Sequence, residues 1–199
     1  MTTVAIVYHS GFGHTKLQAE AVYKGAMSVA GVEAVLLTAE EAGGDLDRLD
    51  ETDAIIFGSP TYMGSMSAEM KKFVETAAAK WFTQSWKDKV AGAFTNSSSY
   101  SGDKLNTLVG LMINAMQQSM IFVSLGMHPA TSHPDSMNHI QGPGPEVVNR
   151  LGSYIGPMAA SFQVDPGDAP STGDLATAEA YGVRVATITQ QLIRGRAAA

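Results

Sequence analysis

"VAIVYHSGFGHTK", residues 4–16, runs a short apolar stretch of branched residues into a glycine-bracketed loop and then into a helical pattern. A strand at about Val4–His9 followed by a helix from about Thr15 to Ala30 is a βα unit. Its turn leaves unpaired amides at the positive end of the helix, a ready site for an anion. Gly11 and Gly13 let the backbone curl round such a guest, and Ser10 and Thr15 offer hydroxyls. A terminal phosphate fits best. The loop is not a Walker loop, since no Gly-Lys-Ser/Thr ends it. Nor is it a complete dinucleotide fingerprint, because Lys16 holds the third glycine position and no acid closes the second strand. Taken alone, the same residues also suit an ordinary βα turn.

Outward from this unit, short branched runs alternate with stretches of helical period, the pattern of a parallel α/β sheet covered on both faces. Further strands are predicted at about Glu33–Leu37, Ala54–Gly58, Val90–Thr95 and Met120–Leu125. Helices are predicted at Ser67–Lys80, Lys104–Gln118 and Asp174–Ile193. A stretch rich in Gly, Pro, Ser and His, residues 126–172, breaks the alternation as a long excursion after strand five, and residues 195–199 read as a frayed tail. One domain over 1–199 is expected, because 199 residues at 45% hydrophobic content bury one good-sized core.

Composition removes several function classes. Thirteen basic against 19 acidic residues give a charge of -6, and a pI near 5.3 argues against a nucleic-acid partner. The absence of cysteine excludes disulfides, thiolate nucleophiles and cysteine-held metals, so redox chemistry would need a cofactor. Without a leader-like start or an apolar run of spanning length, a cytoplasmic protein with no membrane partner is expected.

In open α/β sheets a ligand sits outside the carboxyl ends of the strands, which directs attention to two further loops. "SPTYMGS", residues 59–65, has Pro60 to stiffen the turn and Gly64 to allow close approach; backbone amides from Thr61 to Met63 can reach the polar edge of a flat ring, with Tyr62 or Met63 against its face. Ser65 or Ser67 also suits a helix cap. "NSSSYSG", residues 96–102, supplies hydroxyls and backbone donors for a heterocycle, or is a plain polar loop. His128, His133, Asp135 and His139 lack the spacing of a metal site, and their His-Pro pairs mark turns. Ser98 lacks a nucleophile elbow. No metal is expected.

One phosphate-type loop and two ring-type loops together resemble the flavodoxin-like superfamily, which binds flavin mononucleotide (FMN) at this edge. More narrowly, "YHSGFGHT", "IIFGSPTYMGSMSAEMKKFVE", Trp81, "VAGAFTNSSSYSG", "SMIFVSLGM" and "GSYIGPMAASF" are similar to the WrbA family of NAD(P)H:quinone oxidoreductases, in family order from end to end. The resemblance implies a doubly wound sheet of five parallel strands in the order 2-1-3-4-5. It implies that Ser10, Phe12, Gly13, His14 and Thr15 surround the phosphate, and that Pro60, Thr61, Tyr62, Met63 and Gly64 line the ring. Asn96, Ser97, Ser98, Ser99, Tyr100 and Ser101 would pass its pyrimidine side, the Ser97–Ser101 amides stabilising negative charge on the reduced ring. Trp81 and Gln117 would border the substrate site.

The implied activity is two-electron, ping-pong transfer of hydride from NADH or NADPH through FMN to a quinone or similar flat acceptor, in a homodimer or homotetramer. No side chain need act as a catalytic acid or base, although Tyr100 could lend a proton. The chain departs from the family pattern at Tyr62 and Met63, where arginine and phenylalanine are usual, and at Gln117 and Gln118, where a histidine pair is usual. Those departures keep open a flavodoxin-type electron carrier or an FMN-binding regulatory protein with little turnover.

Overall fold

In the computed structural model, which describes residues 1–198, strands β1 (Thr2–Tyr8), β2 (Val32–Thr38), β3 (Ala54–Tyr62) and β5 (Val90–Ser97) form a parallel sheet ordered β2-β1-β3-β5. The fifth position is filled by two short pieces. β6 (Ile121–Phe122) pairs with Val90 and Ala91, and β7 (Met158–Ala160) pairs with Thr95–Ser97 on the same edge. The order 2-1-3-4-5 therefore holds, but the excursion divides strand five instead of following it. Val123 and Leu125 still bury their side chains. Beyond Phe122 the edge is held partly by a side chain, for the Tyr181 hydroxyl donates to the Val123 carbonyl at 2.6 Å and accepts from the Ala93 amide.

Alternation along the strands explains the two cores. Ala5 and Val7 face one way, with Phe57, Trp86 and Leu108, whereas Val4, Ile6 and Tyr8 face the other, with Val22, Phe94 and Tyr181. Helices α1 (His14–Met27) and α7 (Thr172–Ala197) cover the second face, and α4 (Ala68–Thr76) and α6 (Lys104–Gln117) the first. α1 and α7 cross at two glycines: a Cβ on Gly25 would lie 1.9 Å from the Glu179 carbonyl, and one on Gly182 2.0 Å from that of Val22.

Three boundaries differ from the sequence expectation. The helix expected over Ser67–Lys80 breaks at Ala77 into α4 and α5 (Ala78–Thr83). Between β2 and β3, where no helix is predicted, lie α2 (Ala39–Gly44) and α3 (Asp47–Asp50); α2 begins at a capping box in which the Thr38 and Glu41 side chains each bond the other's backbone. α7 runs through Ala197 and so includes residues 195–197 of the expected frayed tail, while residue 199 lies outside the described residues. Among the described residues no helix is long and apolar enough to cross a membrane.

Candidate functional site

The three loops predicted from sequence converge at the carboxyl ends of β1, β3 and β5 on a cavity of about 500 Å³. Ser10, Phe12, His14, Thr15, Pro60, Thr61, Tyr62, Asn96, Ser97 and Ser98 line it. Ser161–Pro166, the segment directly after β7, completes the wall.

The first loop is closed by its own serine, as the Gly13 amide donates to Ser10 Oγ at 3.1 Å. Gly13 turns the chain into α1 at φ 93°, where glycine is favoured, and Thr15 is buried in the first turn. No acid stands in that turn to compete for the helix dipole. His14 Nε2–H donates to the Val164 carbonyl at 2.8 Å, which ties the loop to the Ser161–Pro166 wall. Tyr62 reaches across from the second loop to stand edge-on to Phe12, ring centroids 6.1 Å apart. Burial raises the Tyr62 phenol above its ordinary value.

The second loop is a hairpin rather than an irregular turn. β3 continues through Tyr62 and pairs antiparallel with β4 (Ser65–Met66) around Met63 and Gly64, both at positive φ, as a two-residue hairpin turn requires. Of the two turn residues expected at the ring, Met63 projects fully into solvent, and neither it nor Gly64 lines the cavity. Thr61 contributes mainly backbone, because its hydroxyl bonds those of Thr95 and Thr107, each at 2.8 Å. Ser67 caps α4, accepting from the Met70 amide.

In the third loop Asn96, Ser97 and Ser98 reach the cavity, but Ser99, Tyr100 and Ser101 do not. Gly102 and Asp103, both at positive φ, turn the chain away. Tyr100 packs edge-on against Phe162, 5.1 Å between centroids, and under the Arg150 guanidinium at 5.5 Å. With Ser101 it lines an adjoining groove of about 1010 Å³ instead. Behind Tyr100, Arg150 makes a two-pronged pair with Asp174, Nε to Oδ1 at 2.8 Å and Nη2 to Oδ2 at 2.9 Å. Asp174 Oδ2 also accepts from the Ala160 amide of β7.

Trp81 and Gln117 meet, but elsewhere. They share a separate cavity of about 270 Å³ with Lys71, Val74 and Asn114, and none of its lining belongs to the loop cavity. Gln117 ends α6, and in a parallel α/β unit helix ends lie at the opposite edge of the sheet from strand ends. Trp86, the other tryptophan, is fully buried and donates Nε1–H to Asp50. Among the described residues no group of three or more His, Asp or Glu is placed to hold a metal. Ile155 and Met158 of the excursion pack back on the core, whereas Ile140 and Tyr154 are exposed.

Sequence reasoning missed one wall of this site and one residue behind it. The first is the Ser161–Pro166 wall, whose position depends on β7 rejoining the sheet. The second is Lys104 at the head of α6, fully buried, its Nζ donating to Ser97 Oγ at 2.8 Å and to the Ser99 carbonyl at 2.5 Å. A cation in the first turn of a helix opposes the dipole, and that was the available signal. Burial brings the Lys104 amine down to about 8, and Lys89 is lowered for the same reason. The unfolded chain keeps such protons to about 10.4. Between these values the unfolded state binds more protons, so stability rises with pH. The melting temperature of the ligand-free protein is expected to climb from pH 8 to 10, and Lys104→Met to lose part of that climb; parallel curves would contradict it.

A doubly wound sheet of this order, with its cavity built by the loops after β1, β3 and β5, defines a flavodoxin-like protein. Comparison with known proteins agrees. The family model "NADPH-dependent FMN reductase" matches residues 39–131. The chain is 40% identical to flavodoxin FldP of Pseudomonas aeruginosa, over 96% of this chain and 99% of that one. It is 31% identical to an NAD(P)H dehydrogenase (quinone) of Aromatoleum aromaticum, over 98% and 99% of the two chains. The crystal structure of a flavodoxin, WrbA-like protein from Agrobacterium tumefaciens superposes with a TM-score of 0.73 at 40% identity, covering 96% and 99%. The chain belongs to the WrbA-like family of flavodoxin-like proteins.

Proposed function

We propose that this protein is an FMN-dependent oxidoreductase that passes a hydride from NADH or NADPH to a quinone or similar flat acceptor, in two-electron, ping-pong fashion. The observation that carries the reading is the convergence of all three loops on one cavity. Its volume, about 500 Å³, lies in the range of small-ligand pockets. An independent sign is Asn96 Oδ1, buried in this wall without a hydrogen-bond partner. An unpaired buried acceptor is costly unless a ligand supplies the donor. These residues fit FMN.

Bound FMN would supply the hydride-accepting ring. The chain's own part is to bind and orient. The Ser10–Thr15 loop and the α1 amides would hold the phosphate, Pro60–Tyr62 would flank the ring, Asn96 Oδ1 would accept from its polar edge, and Ser97 and Ser98 would donate to it. The His14 bond to Val164 would keep the phosphate loop and the Ser161–Pro166 wall together while a ligand enters. Names of relatives at about 30% identity, NAD(P)H dehydrogenase (quinone), support the choice of donor and acceptor. Trp81 and Gln117 would serve substrate only beside the cavity of a second copy, so we also propose a homodimer or homotetramer, working in the cytoplasm. A monomer by light scattering would remove that role from both residues.

A second reading, a flavodoxin-type electron carrier, is favoured by the 40% identity to a protein named flavodoxin. One experiment separates the readings: titrate the purified protein with FMN, add NADH anaerobically, then benzoquinone. A flavin band that binds, bleaches and recovers is expected. Binding without bleaching would favour the carrier, and no binding would overturn both.

A further inference from the structure

Lys104 makes none of the proposed FMN contacts, yet among the described residues it is the one lysine with no exposed surface. Both partners of its Nζ, Ser97 Oγ and the Ser99 carbonyl, are neutral. None of the ion pairs among the described residues includes it. Asp174, whose field reaches it, is already engaged by both arms of Arg150. An ammonium buried against neutral oxygens is a costly choice where a methionine of similar length would fill the space. Its position gives the charge a use, because Ser97, to which it is bonded, lines the cavity.

We propose that Lys104 is a positioning residue that also acts electrostatically. It holds the Ser97–Ser99 turn in place and supplies a positive field that favours FMN in its two-electron-reduced, anionic form. This inference rests on the FMN reading. The hydride brings two electrons and one proton from the dihydronicotinamide, which leaves as the oxidised pyridinium cation. The reduced ring then carries a negative charge that the oxidised ring lacks. A fixed positive charge behind the cavity wall therefore acts on one form and not the other, the condition for shifting an equilibrium.

The surrounding charges leave this role to Lys104. Arg150 and Asp174 neutralise each other as a pair. Asp165 in the lining acts in the opposite sense, and His14 is held by Val164. A carrier operating at low potential would need the reverse arrangement, in which the anionic form is disfavoured. The buried amine thus argues for the reductase over the carrier.

Lys104→Gln and Lys104→Met separate charge from support, since glutamine keeps a donor for the turn and methionine keeps neither donor nor charge. Oxidised FMN would be titrated into each purified protein, and the two-electron midpoint potential measured at pH 7 by equilibration with reference dyes. Lys104→Gln is expected to bind oxidised FMN within about threefold of the parent. Its preference for reduced over oxidised FMN should fall about tenfold, a midpoint about 30 mV lower for a two-electron couple. Lys104→Met should show the same drop and weaker binding of oxidised FMN. A parental midpoint in Lys104→Gln would overturn the inference while leaving FMN binding intact. Failure of both variants to fold, read by circular dichroism, would assign Lys104 to the fold alone and also overturn it. A parent protein that binds no FMN would remove the inference together with the reading beneath it.

Discussion

Ser10→Asp is expected to weaken FMN binding by at least about 100-fold while leaving the ligand-free fold intact. Ser10 Oγ accepts the Gly13 amide, and an aspartate oxygen is an equally good acceptor in such a position. The loop can therefore close as before. Aspartate, however, places a negative charge beside the proposed seat of a phosphate. Two unit charges about 4 Å apart at a half-screened site repel by roughly 4 kcal/mol, and about 2.7 kcal/mol already corresponds to 100-fold in affinity. Ser10→Asn, which keeps the acceptor without the charge, should stay within about tenfold of the parent. Fluorescence titration with FMN, beside urea unfolding of the ligand-free proteins, makes the comparison. Equal affinities in the Asp and Asn variants would show that no phosphate sits at this loop.

The second large effect concerns the wall that sequence reading missed. Asp174→Ala is expected to destabilise the protein by about 3–5 kcal/mol, because it leaves the Arg150 guanidinium buried without its partner. It also frees the Ala160 amide. β7 and the Ser161–Pro166 wall are anchored through that amide, so FMN affinity should fall in the same variant. Restoring neutrality tests the cause. In Arg150→Met/Asp174→Asn the asparagine oxygen can still accept from Ala160 and no buried charge remains, so more than half of the lost stability should return. Urea denaturation of five proteins, the parent, Asp174→Ala, Arg150→Met, Asp174→Asn and the double variant, supplies the comparison and the coupling. Additive losses would mean that the pair is not the reason Asp174 matters.

Both experiments bear on residues that differ in how visible they were. Ser10, Gly13 and Thr15 belong to one βα unit, and their roles follow from local rules: an apolar run, a glycine at positive φ, free amides at a helix start. The same holds for Pro60–Tyr62 and Asn96–Ser98, which lie at the ends of strands whose branched, apolar character marks them. The meeting of the three loops on one cavity follows once such strands pack side by side in parallel, whereas the strand order was implied by the family resemblance. The exposure of Met63 was not legible, because a two-residue hairpin, not the residue's chemistry, decides where its side chain points.

Composition, hydrophobic period and the glycine-bearing loops were thus enough to determine a parallel α/β sheet covered on both faces and the three loops at its carboxyl edge, since each is marked by near neighbours in the chain; the doubly wound order came from the family resemblance. Only the tertiary structure decided that strand five is split, that Ser161–Pro166 closes the cavity, that Trp81 and Gln117 lie apart from it, and that Lys104 is buried behind it. Each of these depends on a long-range meeting: β7 with β5, Arg150 with Asp174, His14 with Val164. Such meetings are set by how the whole chain packs, and no local pattern of side chains records them.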